Sequence, residues 1–276
     1  MMGKERNFME YEFSEAKSVV ISGDIHGDFN MLVNKLCVQY QMRDTLLIVA
    51  GDCGFGFEKK GYYESMVRRN AKRMSEANNW IVFVRGNHDN PAYFDGKTFS
   101  YKRFVAVPDY SIVKACGNTI LCVGGAISID RKMRLEKWEK YAERKARFLE
   151  KGPLARNYYW PDEVALFRPD LLEQINQVSA INAVVTHTAP SFCELQTKNG
   201  LCCYAYSDDT LMDDVANERA VMDDIYNLLK RQKHPITHWC YGHFHQSWHS
   251  SIDDVLFKML DIMEMYQLPP KNPNIV

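Results

Sequence analysis

Ser18-Val19-Val20-Ile21-Ser22-Gly23-Asp24-Ile25-His26-Gly27-Asp28 joins a short β-branched run to a turn that carries a carboxylate and an imidazole. The run is of strand length and composition. Asp24 and His26 stand two apart, and on extended backbone such residues point the same way, so both side chains can aim at one place. Gly23 and Gly27 allow the chain to turn sharply where the strand ends. An oxygen donor beside a nitrogen donor suits a divalent transition ion. Alone the triplet carries little weight, and the rest of the chain must supply further donors.

The same arrangement recurs. The apolar run 46–50 ends in Gly51-Asp52-Cys53-Gly54, and the run 80–84 ends in Arg85-Gly86-Asn87-His88-Asp89. Between these strands the spacing of apolar residues predicts helices over 28–41 and 62–77. Alternation of helices with strands that are apolar on both faces points to βαβ units and a layered α/β core. From residue 99 the texture shifts to shorter strands, 104–107, 110–114 and 119–123, which suit antiparallel pairing. A helix is expected over 169–178 and a strand over 181–185, ending in Thr186-His187. Residues 191–206 read as an irregular loop and 209–232 as a long amphipathic helix. A last strand over 237–241 runs into Gly242-His243-Phe244-His245. Residues 1–16 are polar and expected to be loosely held. No linker divides the chain, so residues 1–276 are expected to form one domain, with 131–178 as a helical insertion or lid.

In an open α/β sheet the loops at the carboxyl ends of strands gather into one crevice. Asp24, His26, Asp52, Asn87, His187, His243 and His245 all occupy such loops. A lone histidine after a strand is usually a satisfied loop or core residue. Seven ligand-capable residues, each at a strand end, are not explained that way. They suffice for two cations about 3.5–4 Å apart that share one carboxylate. Asp24, His26, Asp52 and His245 can make one set, and Asp52, Asn87, His187 and His243 the other, with Asp52 bridging. Four imidazoles favour manganese, iron or zinc over magnesium or calcium. His234, His238 and His249 lack this placement.

Composition excludes several classes. Of 276 residues, 46% are apolar and 25% charged, and the net charge is −1. No global field therefore advertises nucleic acid or membrane as a partner. Residues 131–151 are the local exception: nine Lys or Arg against four Glu leave +5. That stretch is either a solvated helix or a basic lid over a phosphate-bearing substrate. Eight cysteines without a Cys-x-x-Cys pair read as reduced, mostly buried hydrophobes. No leader or membrane-length apolar run is present, and a cytoplasmic location is expected.

The series Gly-Asp-Ile-His-Gly, Gly-Asp-Cys-Gly, Gly-Asn-His-Asp, Thr-His and Gly-His-Phe-His resembles the calcineurin-like metallophosphoesterase superfamily over residues 18–250. The resemblance implies a β-sandwich flanked by helices and the ligand division above. It also implies a dinuclear phosphoesterase in which a metal-bridging hydroxide attacks phosphorus in line, without a covalent enzyme intermediate. His88, next to a ligand but not one itself, is the expected general acid for the leaving oxygen. Arg85 could hold a phosphoryl oxygen, or simply pair with a nearby carboxylate. The chain departs from the phosphoprotein phosphatase branch, whose second block reads GD-x-x-DRG. Phe55 stands where that second Asp orients the general acid, and the Arg is missing, so a phosphoprotein substrate is disfavoured. Asp28 and Asp89 are the candidates left to orient His88, and Ser128, Asp130 and Arg131 could reach the pocket rim. The expected substrate is a small phosphomonoester or phosphodiester. A nuclease is the alternative, with nucleic acid the less favoured partner; a non-catalytic scaffold would have no reason to keep every ligand.

Overall fold

A computed structural model describes residues 7–59, 61–147, 158–193 and 201–271. The run around Val20 forms β2 (Ser18–Ser22), and the fully buried apolar runs that follow form β3 (Thr45–Ala50) and β4 (Trp80–Val84). These three pair in parallel. Parallel neighbours need crossovers, supplied here by α1 (Phe29–Asn34) and α2 (Tyr62–Glu76). The helical pattern expected to residue 41 is realised in part as α1 and then as a π-helical stretch, Lys35–Gln39.

Two sheets lie face to face. One runs β13-β2-β3-β4-β6-β5, where β5 is Ser100–Tyr101, β6 Phe104–Ala106 and β13 Met265–Leu268. The other runs β1-β7-β8-β9-β10-β12-β11. Its strands are β1 (Glu10–Glu12), β7 (Ser111–Ala115), β8 (Asn118–Val123), β9 (Ala183–Thr186), β10 (His238–Tyr241), β11 (Trp248–Ile252) and β12 (Val255–Met259). Val19, Ile21, Ile48 and Val82 meet Val113, Ile120, Cys122 and Val185 between the sheets. On its outer face the first sheet packs Val20, Leu47 and Phe83 with Phe29 and Leu32 of α1 and Met66 of α2. The second packs Leu121, Val184 and Trp239 with Leu172 of α4 (Pro169–Asn176) and Met222, Ile225 and Leu229 of α6 (Leu211–Arg231). The result is helix, sheet, sheet, helix, which is the expected sandwich.

Some expectations need correction. The strand expected at 104–107 is not wholly antiparallel: β6 pairs in parallel with β4 and meets only the short β5 antiparallel, so it extends the first sheet. The stretch 7–16 is held rather than loose, because β1 pairs with β7 and the side chains of Phe8 and Ala16 are buried. Three strands after residue 247 were not expected at all. Of the loop expected over 191–206, residues 194–200 lie outside the described residues, and Leu201–Ala205 is a short helix, α5. The basic stretch forms α3 (Arg131–Arg147), its last four residues falling outside the described ones. Whereas α3 is largely exposed, α4 buries Leu171, Leu172 and Ile175 in the core. Among the described residues no helix is long and apolar enough to cross a membrane. All eight cysteines are free, and Cys202 and Cys203 are the two exposed ones.

Candidate metal centre and active site

The parallel strands β2, β3 and β4 of one sheet and β9 and β10 of the other end at the same edge of the sandwich. Their loops deliver all seven candidate donor residues to one place. The approach is closer than most side chains permit. A Cβ on Gly86 would lie 2.1 Å from the Asp52 amide nitrogen, and one on Gly242 would lie 2.1 Å from Asp24 Oδ1. Four of the seven donors hold left-handed backbone: His26 (φ 45), Asp52 (φ 46), His243 (φ 72) and His245 (φ 50). Such conformations are costly for residues with a Cβ and cluster where function demands them.

The first donor group is Asp24, His26, Asp52 and His245, whose ligand atoms all lie within 4.8 Å of one another. Nε2 of His26 and Nε2 of His245 are 3.0 Å apart. Asp24 Oδ1 accepts the His243 backbone N–H at 2.9 Å, which turns Oδ2 toward the imidazoles. Oδ2 is buried without a hydrogen bond, although His245 Nε2 lies 3.0 Å away. Lone pairs on two imidazoles and a buried carboxylate converging on one point is an arrangement that a cation relieves.

The second group is built around His187, which is fully buried. Its Nδ1 lies 2.8 Å from the Ala50 carbonyl oxygen. A carbonyl can only accept, so Nδ1 carries the hydrogen and Nε2 is left for the site. Nε2 is 3.0 Å from Asn87 Oδ1 and 3.1 Å from Asp52 Oδ1, and the His243 ring lies 4.9 Å from that of His187. Burial opposes charge on His187, but the Asp52 carboxylate and its hydrogen bond outweigh it and push the pKa up to about 10. Asp52 is pulled well below the usual carboxylate range: burial alone would raise it, and the imidazoles of His187, His88 and His26 reverse that. The pocket therefore demands positive charge, from a proton or a cation. Both groups fit divalent transition ions by donor chemistry.

His88 stands beside these groups, its ring 5.6 Å from that of His26, with its backbone N–H donating to Asp52 Oδ1 at 2.8 Å. Burial lowers its pKa below the ordinary value. Neither expected carboxylate orients it. Asp89 is fully buried and accepts from the amides of Cys53, Gly54, Phe55 and Gly86 at 2.8–3.0 Å, tying the Asp52 loop to the Asn87 loop. Asp28 is exposed ahead of α1 and makes no bond to His88 among the described residues. The group against the ring is Arg134 of α3, whose Nη2 lies 3.2 Å from Nε2. Phe55, at the departure from the phosphatase branch, fills the core against Phe29, Phe83 and Phe99.

Of the two readings of Arg85, pairing with a nearby carboxylate is the geometry found. Its Nη2 pairs with Asp109 at 2.8 Å, its Nη1 donates to the Glu163 carbonyl at 2.6 Å, and it is 5% exposed. A strand-end arginine on a sheet that abuts the 158–165 segment finds its acceptors there and does not line the pocket. Arg134, which sequence alone did not single out, takes the pocket position. The signal was a charged residue three along from Arg131, one helical turn, and it was hidden among nine like charges. Arg131 itself anchors α3, meeting Asp208 at 2.7 Å and Asp214 at 2.6 Å.

Ser128 and Glu163 form the adjoining wall. Ser128 donates through its amide and hydroxyl to Glu163 at 2.6 and 2.7 Å, and its hydroxyl accepts from Asn87 at 3.0 Å. Burial raises the Glu163 carboxyl from an ordinary 4.5 to about 8, against the pull of the Ser128 bonds. The folded state thus favours the neutral acid. Its contribution to stability is full below pH 4.5 and disappears as pH climbs through about 8. Glu163→Gln is expected to flatten the fall in Tm between about pH 5 and 8. Thermal melts of both proteins across that range check this; parallel curves would remove Glu163 as the cause.

A family model described as calcineurin-like phosphoesterase matches residues 17–247. Among solved structures, a dimetal phosphatase from Danio rerio is 10% identical, with a TM-score of 0.49, over 92% of this chain and 89% of that one. A phosphopantetheinyl hydrolase from Mycobacterium tuberculosis is 15% identical, with a TM-score of 0.43, over 93% of this chain and 96% of that one. No curated protein matches the chain by sequence.

Proposed function

Because this chain belongs to the calcineurin-like phosphoesterase family, we propose that it hydrolyses a small phosphorylated molecule, either a phosphomonoester or a compact phosphodiester. It is a metal-dependent phosphoric ester hydrolase. The observation that carries the finer reading is the convergence of Asp24, His26, Asp52 and His245 within 4.8 Å, with a buried carboxylate oxygen that has no hydrogen bond. Those four residues would hold one divalent transition ion. Asp52, Asn87, His187 and His243 would hold the second, with manganese, iron or zinc suited to the imidazoles.

When bound, the two cations supply positive charge to the phosphoryl oxygens and acidify water at neutral pH. The chain's own residues do the rest. The Ala50 carbonyl and the Asp24 contact to the His243 amide fix the orientations of donors before substrate arrives. His88 would give its proton to the leaving oxygen as the P–O bond breaks and the hydroxyl of water passes to phosphorus, the water's proton going to solvent, from which His88 is reprotonated. Arg134 keeps a positive charge against the His88 ring, which favours release of the His88 proton to the leaving oxygen.

The test is turnover by the manganese-loaded protein on an aryl phosphomonoester, an aryl phosphodiester, a nucleotide and single-stranded DNA. Hydrolysis of the small esters is expected, lost on chelation and restored by manganese. Preference for single-stranded DNA would make the protein a nuclease. No turnover on any substrate, with both ions bound, would leave a binding protein on a hydrolase fold.

A further inference from the structure

Above the donor residues opens a cavity of about 670 Å³, with Asp52, Asn87, His88 and His243 at its floor. Its walls are unlike the floor. Met212, Val215 and Ala216 of α6 face it, the second and third lying three and four positions after the first, one turn along the helix. Leu201 and Tyr204 of α5, Phe244 from the last donor loop, and Ile127 and Ile129 from the turn after β8 complete the lining. The core-facing stripe of α6, with Leu211, Met222, Ile225 and Leu229 buried, runs alongside, and Val215 lies at its border with the chamber. Met212 remains 50% exposed, an apolar side chain that no other element covers among the described residues.

Apart from the Tyr204 hydroxyl, the polar groups in the walls are already engaged. Ser128 is bonded to Glu163 and Asn87. Ser191 donates to Asp223 at 2.6 Å, and Asp130 is paired with Arg134 at 2.7 Å. Glu218 is fully enclosed by the Thr188 hydroxyl at 2.7 Å and the Ile127 amide. Arg219 reaches Thr188 and the Pro190 carbonyl and lays its guanidinium 5.3 Å from the Phe244 ring; its Nε is the one buried wall atom among the described residues without an acceptor. A sugar or base entering here would surrender bonds to water and find few replacements. An alkyl or simple aryl group would surrender none.

We propose that this chamber is the leaving-group site, and that it takes an uncharged, largely apolar alkyl or aryl group esterified to the phosphate. The inference rests on the hydrolase reading above, and its test is built so that the two fail separately. The first measurement is kcat/KM of the manganese-loaded protein on straight-chain monoalkyl phosphates from methyl to octyl, with glycerol phosphate and adenosine monophosphate for comparison. Full burial of a methylene corresponds to roughly fourfold, so kcat/KM is expected to climb by about two- to fourfold per carbon until the chamber fills. A flat series, or faster cleavage of either polar ester than of hexyl phosphate, would overturn the proposal while leaving the hydrolase reading intact. The second measurement needs no turnover. Calorimetry with methyl-, butyl- and octylphosphonate, which cannot be hydrolysed at that bond, should show Kd falling and the heat-capacity change growing more negative with chain length. Equal affinity for all three would overturn the site whatever the activity. Met212→Gln, a change at a half-exposed position, should reduce the slope in both series, and an unchanged slope would exclude the α6 face as the wall.

Discussion

Asp52→Asn is expected to lower kcat by about three orders of magnitude and to cost the protein at least one of its two cations. Asp52 is 2% exposed and stands between the donor groups, with Oδ1 3.1 Å from His187 Nε2 and Oδ2 3.9 Å from His26 Nδ1. Asparagine keeps the shape and the acceptor for the His88 amide, 2.8 Å away in the wild type. What it removes is the negative charge that two neighbouring cations would share. Metal catalysis supplies several kcal/mol of charge stabilisation, and about 1.4 kcal/mol is a factor of ten in rate. Elemental analysis of the purified variant, alongside turnover in excess manganese, reads both effects. Two ions retained with a rate within tenfold of wild type would sink the bridging role. Circular dichroism of the variant separates lost chemistry from lost fold.

The second large effect concerns His88→Ala. The imidazole is outside both donor groups, so both ions should remain. The loss should depend on the leaving group: about 10²–10⁴ for an alkyl phosphate, whose alkoxide needs a proton, and far less for an activated aryl ester, whose oxide departs unaided. Equal losses on the two would show that His88 acts in some other way, for instance through the Asp52 oxygen that its amide holds. Arg134→Ala separates its own part. If Arg134 serves by supporting His88, its removal should add little to the loss already caused by His88→Ala in the double variant.

Much of the fold was legible because its strands are buried on both faces. A run such as Leu46-Leu47-Ile48-Val49-Ala50 is apolar throughout since helices cover one side and the second sheet the other. The edges were not legible for the converse reason. Strands β1 and β13 carry exposed positions and pair with strands distant in sequence. Strands β5 and β11, though each forms a hairpin with the strand that follows, alternate or expose their side chains, so hydrophobicity marks none of the four. The helix boundary after Asn34 also escaped, because a π-helical stretch keeps nearly the apolar rhythm of the helix it extends.

The candidate donor residues could be nominated from sequence for a stricter reason. Metal chemistry accepts few side-chain types, and parallel strands carry their loops to one end, so residue type plus strand-end position suffices to nominate Asp24, His26, Asp52, Asn87, His187, His243 and His245. An arginine has no such restriction. Arg85 and Arg134 each neighbour a motif or a basic run, and which one faces the pocket depends on where Asp109, the Glu163 carbonyl and His88 lie in space. Likewise Asp89, adjacent to His88 in sequence, is taken by four backbone amides, while Arg134, 46 residues away, lies against the ring. By itself the sequence determined the layered α/β architecture and nominated the candidate metal-binding residues, since both readings follow from residue type and local period. The competition among arginines and carboxylates, and the apolar chamber against α6, were decided by tertiary structure alone. Hydrogen-bond partners and shared cavities are set by distance in space, and distance along the chain says little about that.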